Sequence, residues 1–528
     1  MWTFKELKVK RVTFIFTCLL LAVPCQARTI TVDDDGPADF NTIQAAIDNS
    51  NNGDTIEVQP GRYTGLGNRD IDFKGKAITI RSSDPNDPNI VAATVIDGLI
   101  SPTMCMSGDC ERHRGFKFHN GEGPDSVIAG LTITNFCSPD ELLFDPDQAW
   151  PVGGGIYCEN SSPTITYCVI TNNQAYVYLY EIGMFWGLAG GVFSWGGSPT
   201  ITNCVISGNR DRMAAGGLCC YGSAQIINCT ITGNHSLFGT GGIVGGSVIS
   251  HCIIEHNTSG LDVGGISSNG TIANSRISNN SGCDVGGGVY GSPLISNCII
   301  TGNSVGAGRG GGVHCLEGAR IINCLVSGNS ARSQEYFDGW VEGEAGGIYC
   351  SDANVLVSNC TIVSNWADAN GGGIYGNPTI TNSIVWGNNC PNEPQISGVP
   401  NISYSDIQDG WLGIGNINVD PNFADVSGGD YHLKSQAGRW DANEGRWTKD
   451  EVTSLCIDAG DQNSPIGLEP FPNGGIINMG AYGGTREASK SYFGEPPCET
   501  IVAGDINGDC KVDFKDFALM AFHWLEER

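Results

Sequence analysis

The apolar positions of this chain follow neither a helical period nor a plain alternation. A longer unit recurs about every 23 residues: Ile or Val, then a polar residue and Asn, then Cys or Ser. A second Ile or Val follows two positions later, and after it an Asn and a run of glycines. With the Cys position as the mark, the series is Leu131, Cys168, Cys204, Cys229, Cys252, Ser275, Cys298, Cys324, Cys360, Ser383 and Ser405, at spacings of 37, 36, 25, 23, 23, 23, 26, 36, 23 and 22. Ile or Val stands three residues before each mark (Ile128, Ile165, Ile201, on to Ile402) and two after it (Ile133, Ile170, Ile206, on to Ile407). Such self-similarity predicts stacked units, each too small to bury its own apolar face.

The same skeleton fits a leucine-rich repeat until the glycines are read. Gly153-Gly154-Gly155, Gly286-Gly287-Gly288, Gly310-Gly311-Gly312 and Gly371-Gly372-Gly373 resist helix and suit sharp corners. Strands account for the spacing if the chain bends once. Cys204 and Ile206 share a face by period two, whereas Ile201 lies three before Cys204. A bend at Asn203, a residue that tolerates left-handed backbone, turns all three inward. Asn recurs at that place at Asn228, Asn274, Asn297, Asn323, Asn359 and Asn382. Each coil is then a few short parallel strands joined by an Asn corner and a Gly corner, and ten intervals at ~4.8 Å make a rod roughly 48 Å long.

This organisation resembles the right-handed parallel β-helix of pectate-lyase-like proteins, and its N-x-x-x-G-G-G-I cadence resembles bacterial surface β-helices of the polymorphic membrane protein type. The resemblance covers about residues 29–409 and implies an all-β solenoid. It leaves function open, because lyases, hydrolases, esterases and adhesins share the fold. The segment D-F-x-T-I-Q-A-A-I…G-D-T-I-x-V-x-P-G-x-Y within residues 29–64 is similar to the start of many such proteins, where an amphipathic helix covers the open end of the rod.

Lys5, Lys8, Lys10 and Arg11 precede an apolar run from Val12 to Val23 and then Cys25-Gln26-Ala27, the pattern of a secretory signal cleaved after Ala27. The expected organisation is a signal peptide over 1–27, a cap and first coils over 28–128, and repeats over 129–410. A C-terminal cap segment over 411–490, a linker over 491–500 and a terminal module over 501–528 follow. Removing the signal shifts the net charge from -28 to -31, which disfavours nucleic acid and anionic membrane as partners. No later segment is apolar enough to span a bilayer, so a secreted or cell-surface monomer is expected. Seven of the 22 cysteines sit at the inward mark, where a free thiol packs as a small apolar group. A mainly reduced ladder follows, with Cys105 to Cys110 and Cys498 to Cys510 as the expected local bridges.

Asp505, Asn507, Asp509, Asp513 and Asp516 occupy positions 1, 3, 5, 9 and 12 of an EF-hand-type loop, with the Lys511 carbonyl at position 7. This is the oxygen set that a Ca²⁺ ion requires. With the helix that follows, it resembles one half of a type I dockerin and implies calcium-dependent docking to a cohesin-like or other surface protein. A dockerin carries two such repeats and usually Gly where Cys510 stands.

Three long excursions leave the corner after the Asn: 137–152, 174–188 and 331–344. They carry Trp150, Tyr176, Tyr178, Tyr180, Trp186, Tyr336 and Trp340 among carboxylates, residue types that stack on sugar faces and accept hydroxyl hydrogens. The alternative is an aromatic cluster folded onto the rod. Aligning coils on their glycines makes Asp262 and Asp284 equivalent and brings in Arg309. Carboxylates about 5 Å apart suit the nucleophile and acid of a retaining glycosidase, and equally a bound cation or plain solvation.

No lysine occurs between Lys117 and Lys434, so the Lys or Arg base that resemblance to pectate-lyase-like enzymes implies is left to Arg210, Arg212, Arg276, Arg309, Arg320 or Arg332, and the G-H-G of the hydrolase branch is missing. The histidines are scattered and suggest no catalytic role. The expectation is a β-helix that binds extracellular polysaccharide or a surface partner. A polysaccharide lyase or glycoside hydrolase is the first alternative and a structural adhesin the second.

Overall fold

The computed structural model describes residues 27–100, 111–145, 148–175, 177–179, 184–336, 339–494, 504, 506 and 512–524. The expected signal segment before Ala27 and the four cysteines of the two expected local bridges lie outside these residues.

Each repeat contributes one strand to each of three long sheets. Sheet A has 14 strands, from Thr29–Val32 to Asn401–Ser403; sheet B has 13, from Gly61–Tyr63 to Asp406–Ile407; sheet C has 12, from Ile71–Asp72 to Ile396–Ser397. A fourth, sheet D, has eight strands of two residues, from Gln174–Ala175 to Trp366–Ala367. Pairing along the sheets is parallel and in register, as in Ile165 with Ile201 and Ile170 with Ile206. The fold is a right-handed parallel β-helix. Its 14 strands in sheet A make a rod roughly 62 Å long at ~4.8 Å per coil, longer than the repeat count predicts because three further coils precede Leu131.

The bend predicted at the Asn corner is present. The seven asparagines named for it have φ between 49° and 54°, and Tyr167, His251 and Tyr404 take the same turn in other coils. Ile201, Cys204 and Ile206 are consequently all buried, each at 1% exposure or less. Every such Ile contributes about 1.5–3 kcal/mol. The thiols at the mark are free and buried from Cys168 to Cys360. Each bonds back to a carbonyl two residues earlier, as Cys204 does to Thr202 at 3.2 Å. Cys137 is disulfide-bonded, its partner falling outside the described residues.

Nine asparagines, Asn173, Asn209, Asn234, Asn257, Asn280, Asn303, Asn329, Asn365 and Asn388, form a second buried column. In each, Nδ2 donates to an Ile or Val carbonyl of the preceding coil and to the Oδ1 of the next Asn. Asn257 does so to Ile231 at 2.9 Å and to Asn280 at 3.0 Å. Each Oδ1 also accepts the backbone N–H of the previous Asn, that of Asn257 from Asn234 at 3.1 Å. Gln395 ends the column by accepting from Asn388 at 2.9 Å. Corner amides that the strands cannot pair are thereby satisfied inside the rod.

Helix Ile43–Asn49 buries Ile43, Ala46 and Ile47 against the first coils, as its pattern predicts. At the other end Trp411 packs on the core and Ile417 donates to the Ser405 carbonyl. Beyond it the chain runs along a flank: Phe423, Tyr431, Leu433, Cys456, Met479 and Ala481 pack on Leu325, Val363 and Ile384, outward residues of sheet B. A cavity of about 490 Å³ separates this segment from sheet B beside Ile299 and Tyr482. Among the described residues no helix is long and apolar enough to cross a membrane.

Candidate functional site

The three excursions are antiparallel hairpins: Asp140–Asp145 with Gln148–Pro151, Val177–Leu179 with Met184–Trp186, and Gln334–Tyr336 with Gly339–Val341. All three rise between sheet D and sheet C, so they flank the outward face of sheet C. Trp150, Tyr178, Trp186 and Tyr336 lie on these strands, while Tyr176 and Tyr180 lie outside the described residues. Trp340 is 62% exposed, opposite Glu335 in its hairpin.

Period-two alternation fixes what that face presents. Ile156, Val192, Val289, Val313, Ile348 and Ile374 point inward, so the next residue of each strand points outward. The outward column is Tyr157, Phe193, Cys219, Val244, Ser267, Tyr290, His314, Tyr349 and Tyr375, one residue per coil in unbroken register. The aromatic rings touch. Centroids are 5.2 Å apart from Tyr290 to His314, 4.6 Å from His314 to Tyr349 and 5.1 Å from Tyr349 to Tyr375, the last pair stacked at 4°. The three tyrosines are half-buried.

A second aromatic group stands at the earlier coils. Tyr157 and Phe193 stack 6.0 Å apart under the corner residues Val152, Leu188 and Ala189, and are buried. Two residues further along the strands Trp195 and Tyr221 stay open, 36% and 41% exposed, edge to face at 5.5 Å. Glu159 pairs in register with Trp195 and accepts the Tyr157 hydroxyl at 2.9 Å.

The polar groups of the later cluster come from the corner before sheet C. Arg309 pairs with Val285 on one side and Glu344 on the other. Its Nε donates to Glu344 Oε2 at 3.0 Å, and its guanidinium lies 5.3 Å from the Tyr349 ring centroid. The negative charge of Glu344 first, and burial second, hold the Tyr375 hydroxyl above the usual phenol range; a hydrogen bond to Glu344 adds to this. Burial, then the charge of Asp284, raise the Asp262 carboxyl. Asp262 is half-buried and Asp284, one coil on, is exposed. Asp284 lies one residue out of register with Arg309, whose N–H donates to the Asp284 carbonyl at 3.0 Å.

His314, read from the sequence as a scattered histidine, is a buried member of the ladder. Burial and the Arg309 guanidinium push it down to about 4. Between pH 6.5 and about 4 the unfolded chain binds a proton that the folded imidazole refuses, so this site loses stability as pH falls through that window, by up to about 3 kcal/mol. His314→Phe is expected to flatten that part of the stability curve, measured as urea midpoints from pH 7 to pH 4.

Of the six residues expected to hold calcium, Asp513 and Asp516 are described, and Asp505, Asn507, Asp509 and Lys511 lie outside the described residues. The buried Asp516 carboxylate accepts the N–H of Ile506 at 2.7 Å and of Asp513 at 2.8 Å, and helix Phe514–Trp524 follows.

A family model described as "Right handed beta helix region" matches residues 190–340, and one described as "Disaggregatase related" matches residues 323–460. Among curated proteins nothing matches. Similar solved structures include the pectate lyase Pel9A, 15% identical over 86% of this chain and 96% of that one, with a TM-score of 0.37. A mannuronic acid specific family 6 polysaccharide lyase from human gut microbiota is 11% identical over 75% of this chain and 92% of its own, also at 0.37. The A-module of a mannuronan C-5 epimerase from Azotobacter vinelandii is 12% identical over 70% and 95%, at 0.27. Likeness at these scores assigns neither a reaction nor a substrate. Strand pairing throughout, and the family match over residues 190–340, make the chain a right-handed parallel β-helix.

Proposed function

We propose that this protein is exported and binds extracellular polysaccharide along the outward face of sheet C, with the hairpins as walls. The observation that carries the reading is the in-register aromatic ladder Tyr290, His314, Tyr349 and Tyr375, edged by the Arg309–Glu344 pair and the exposed Trp340. Aromatic faces spaced by the coil repeat offer a flat apolar strip for sugar rings, and the carboxylates beside them accept hydroxyl hydrogens. Pectate and mannuronan-active proteins among the structural neighbours agree with a glycan as partner. Native electrophoresis in gels containing dissolved polysaccharides tests the reading. Retardation by at least one polymer is expected, and unaltered mobility in all of them would defeat it.

One observation favours catalysis as a second reading. Asp262 is raised by burial and by Asp284, while Asp284 is solvent-exposed, the unequal environments that separate an acid from a nucleophile. In that case the mature protein releases new sugar ends from the polymer it binds, and Asp262→Asn abolishes the release. Binding without release in wild type excludes it.

The terminal module supplies attachment. Asp505, Asn507, Asp509, Asp513 and Asp516, with the Lys511 carbonyl, take one Ca²⁺, and the loaded loop presents the helix with its exposed Phe514 and Phe517 to a cohesin-like or surface protein. Calorimetric titration of the full chain is expected to give one calcium site that Asp516→Asn weakens at least tenfold; no heat of binding in wild type would rule the site out.

A further inference from the structure

The charges around the aromatic strip select among glycans. Beside the later cluster stand Asp262, Asp284, Glu335, Glu342 and Glu344, and beside the earlier one Glu159. The cations at the later cluster are Arg309 and Arg332, and the Arg309 guanidinium is already bonded to Glu344. Arg114 stacks on Tyr157 at 4.6 Å and is itself buried, so it offers no charge to a ligand on the surface. Lys117 stands in register beside Tyr157 at the early end of this face, but no lysine follows it before Lys434, so the later cluster has none, and the chain as a whole carries a net -28.

A uronic-acid polymer places a carboxylate on every sugar. Laid on the later cluster it would meet five carboxylates, with Arg332 the one cation there not already bonded to Glu344, a predominantly like-charge arrangement that costs affinity. An uncharged sugar has no such cost, and the same carboxylates serve it as hydroxyl acceptors. Resting on the polysaccharide reading above, we propose that the outward face of sheet C takes an uncharged glycan and rejects uronates. The ligand class thus differs from the pectate and mannuronate substrates named for the structural neighbours.

The test uses the mature full chain in native gels containing a mixed-linkage glucan, a galactomannan, polygalacturonate or alginate. Runs at about 10 mM salt, where the screening length is about 30 Å, are compared with runs at 0.15 M, each with calcium and with chelator. Retardation is expected from a neutral polymer, nearly independent of salt. For the uronates, association at least tenfold weaker is expected at low salt, and the triple variant Asp262→Asn, Asp284→Asn, Glu342→Gln is expected to raise it at least threefold. Tighter association with a uronate than with both neutral polymers, in either calcium condition, overturns the charge assignment and leaves the binding face standing. Retardation by none of the four overturns both.

Discussion

Replacing Asn257, a representative member of the buried column, by Ala is expected to destabilise the rod by about 4 kcal/mol. The side chain is fully buried and bonded to two neighbouring coils. Its loss strips the Asn234 N–H and Nδ2 of their acceptor and the Ile231 carbonyl and Asn280 Oδ1 of a donor. Each group left unpaired in the interior costs about 1–3 kcal/mol, far more than the packing of one amide. Aspartate does not repair the defect, because it offers acceptors without the donor and brings a charge into the core. Asn274 is the control: it is exposed, sits at φ 49°, and its replacement by Gly is expected to change stability by less than about 1 kcal/mol. Equilibrium unfolding in urea separates the two, and equal effects would show that the column is not what holds neighbouring coils together.

The double substitution Tyr349→Ala, Tyr375→Ala is expected to weaken polysaccharide association at least thirtyfold while leaving the urea midpoint within about 2 kcal/mol of wild type. The two rings lie parallel 5.1 Å apart on an outward face and are half-buried, so they contribute more surface to a ligand than to the core. An aromatic contact is worth about 0.5–1.5 kcal/mol beyond the area it covers, and two such contacts plus that area exceed the 2 kcal/mol that thirtyfold requires. Trp340→Ala should cost less, because its hairpin borders the strip. Affinity electrophoresis with unfolding curves on the same samples checks both halves of the expectation.

The architecture was legible because its determinants are local and repeated. The offset between Ile201, Cys204 and Ile206 has one physical solution, a left-handed corner at Asn203, and the structure contains it. The asparagine column was visible as residues but not as bonding, since an Asn three after an inward Ile reads equally as a turn former. The ring ladder was missed for a related reason. Tyr349 and Tyr375 directly follow an inward Ile, and the alternation that buries the Ile turns the Tyr outward, but the 23-residue repeat is marked by its glycines and Ile and not by the variable residue after them. Glu344 escaped the glycine alignment because Ala345, at φ 58°, replaces the first glycine of its coil. That substitution hid the partner of Arg309. The 36- and 37-residue spacings locate the excursions, but which face they flank depends on where each strand turns, and only the folded register supplies it.

Oxidative footprinting of surface side chains, with and without a retarding polysaccharide, addresses the central claim most directly. The sheet C assignment predicts protection of Tyr290, Tyr349, Tyr375 and Trp340 when polymer is present, with Trp447 on the distant flanking segment oxidised equally in both samples. Protection confined to residues outside sheet C and its hairpins, or none at all despite retardation, would contradict it.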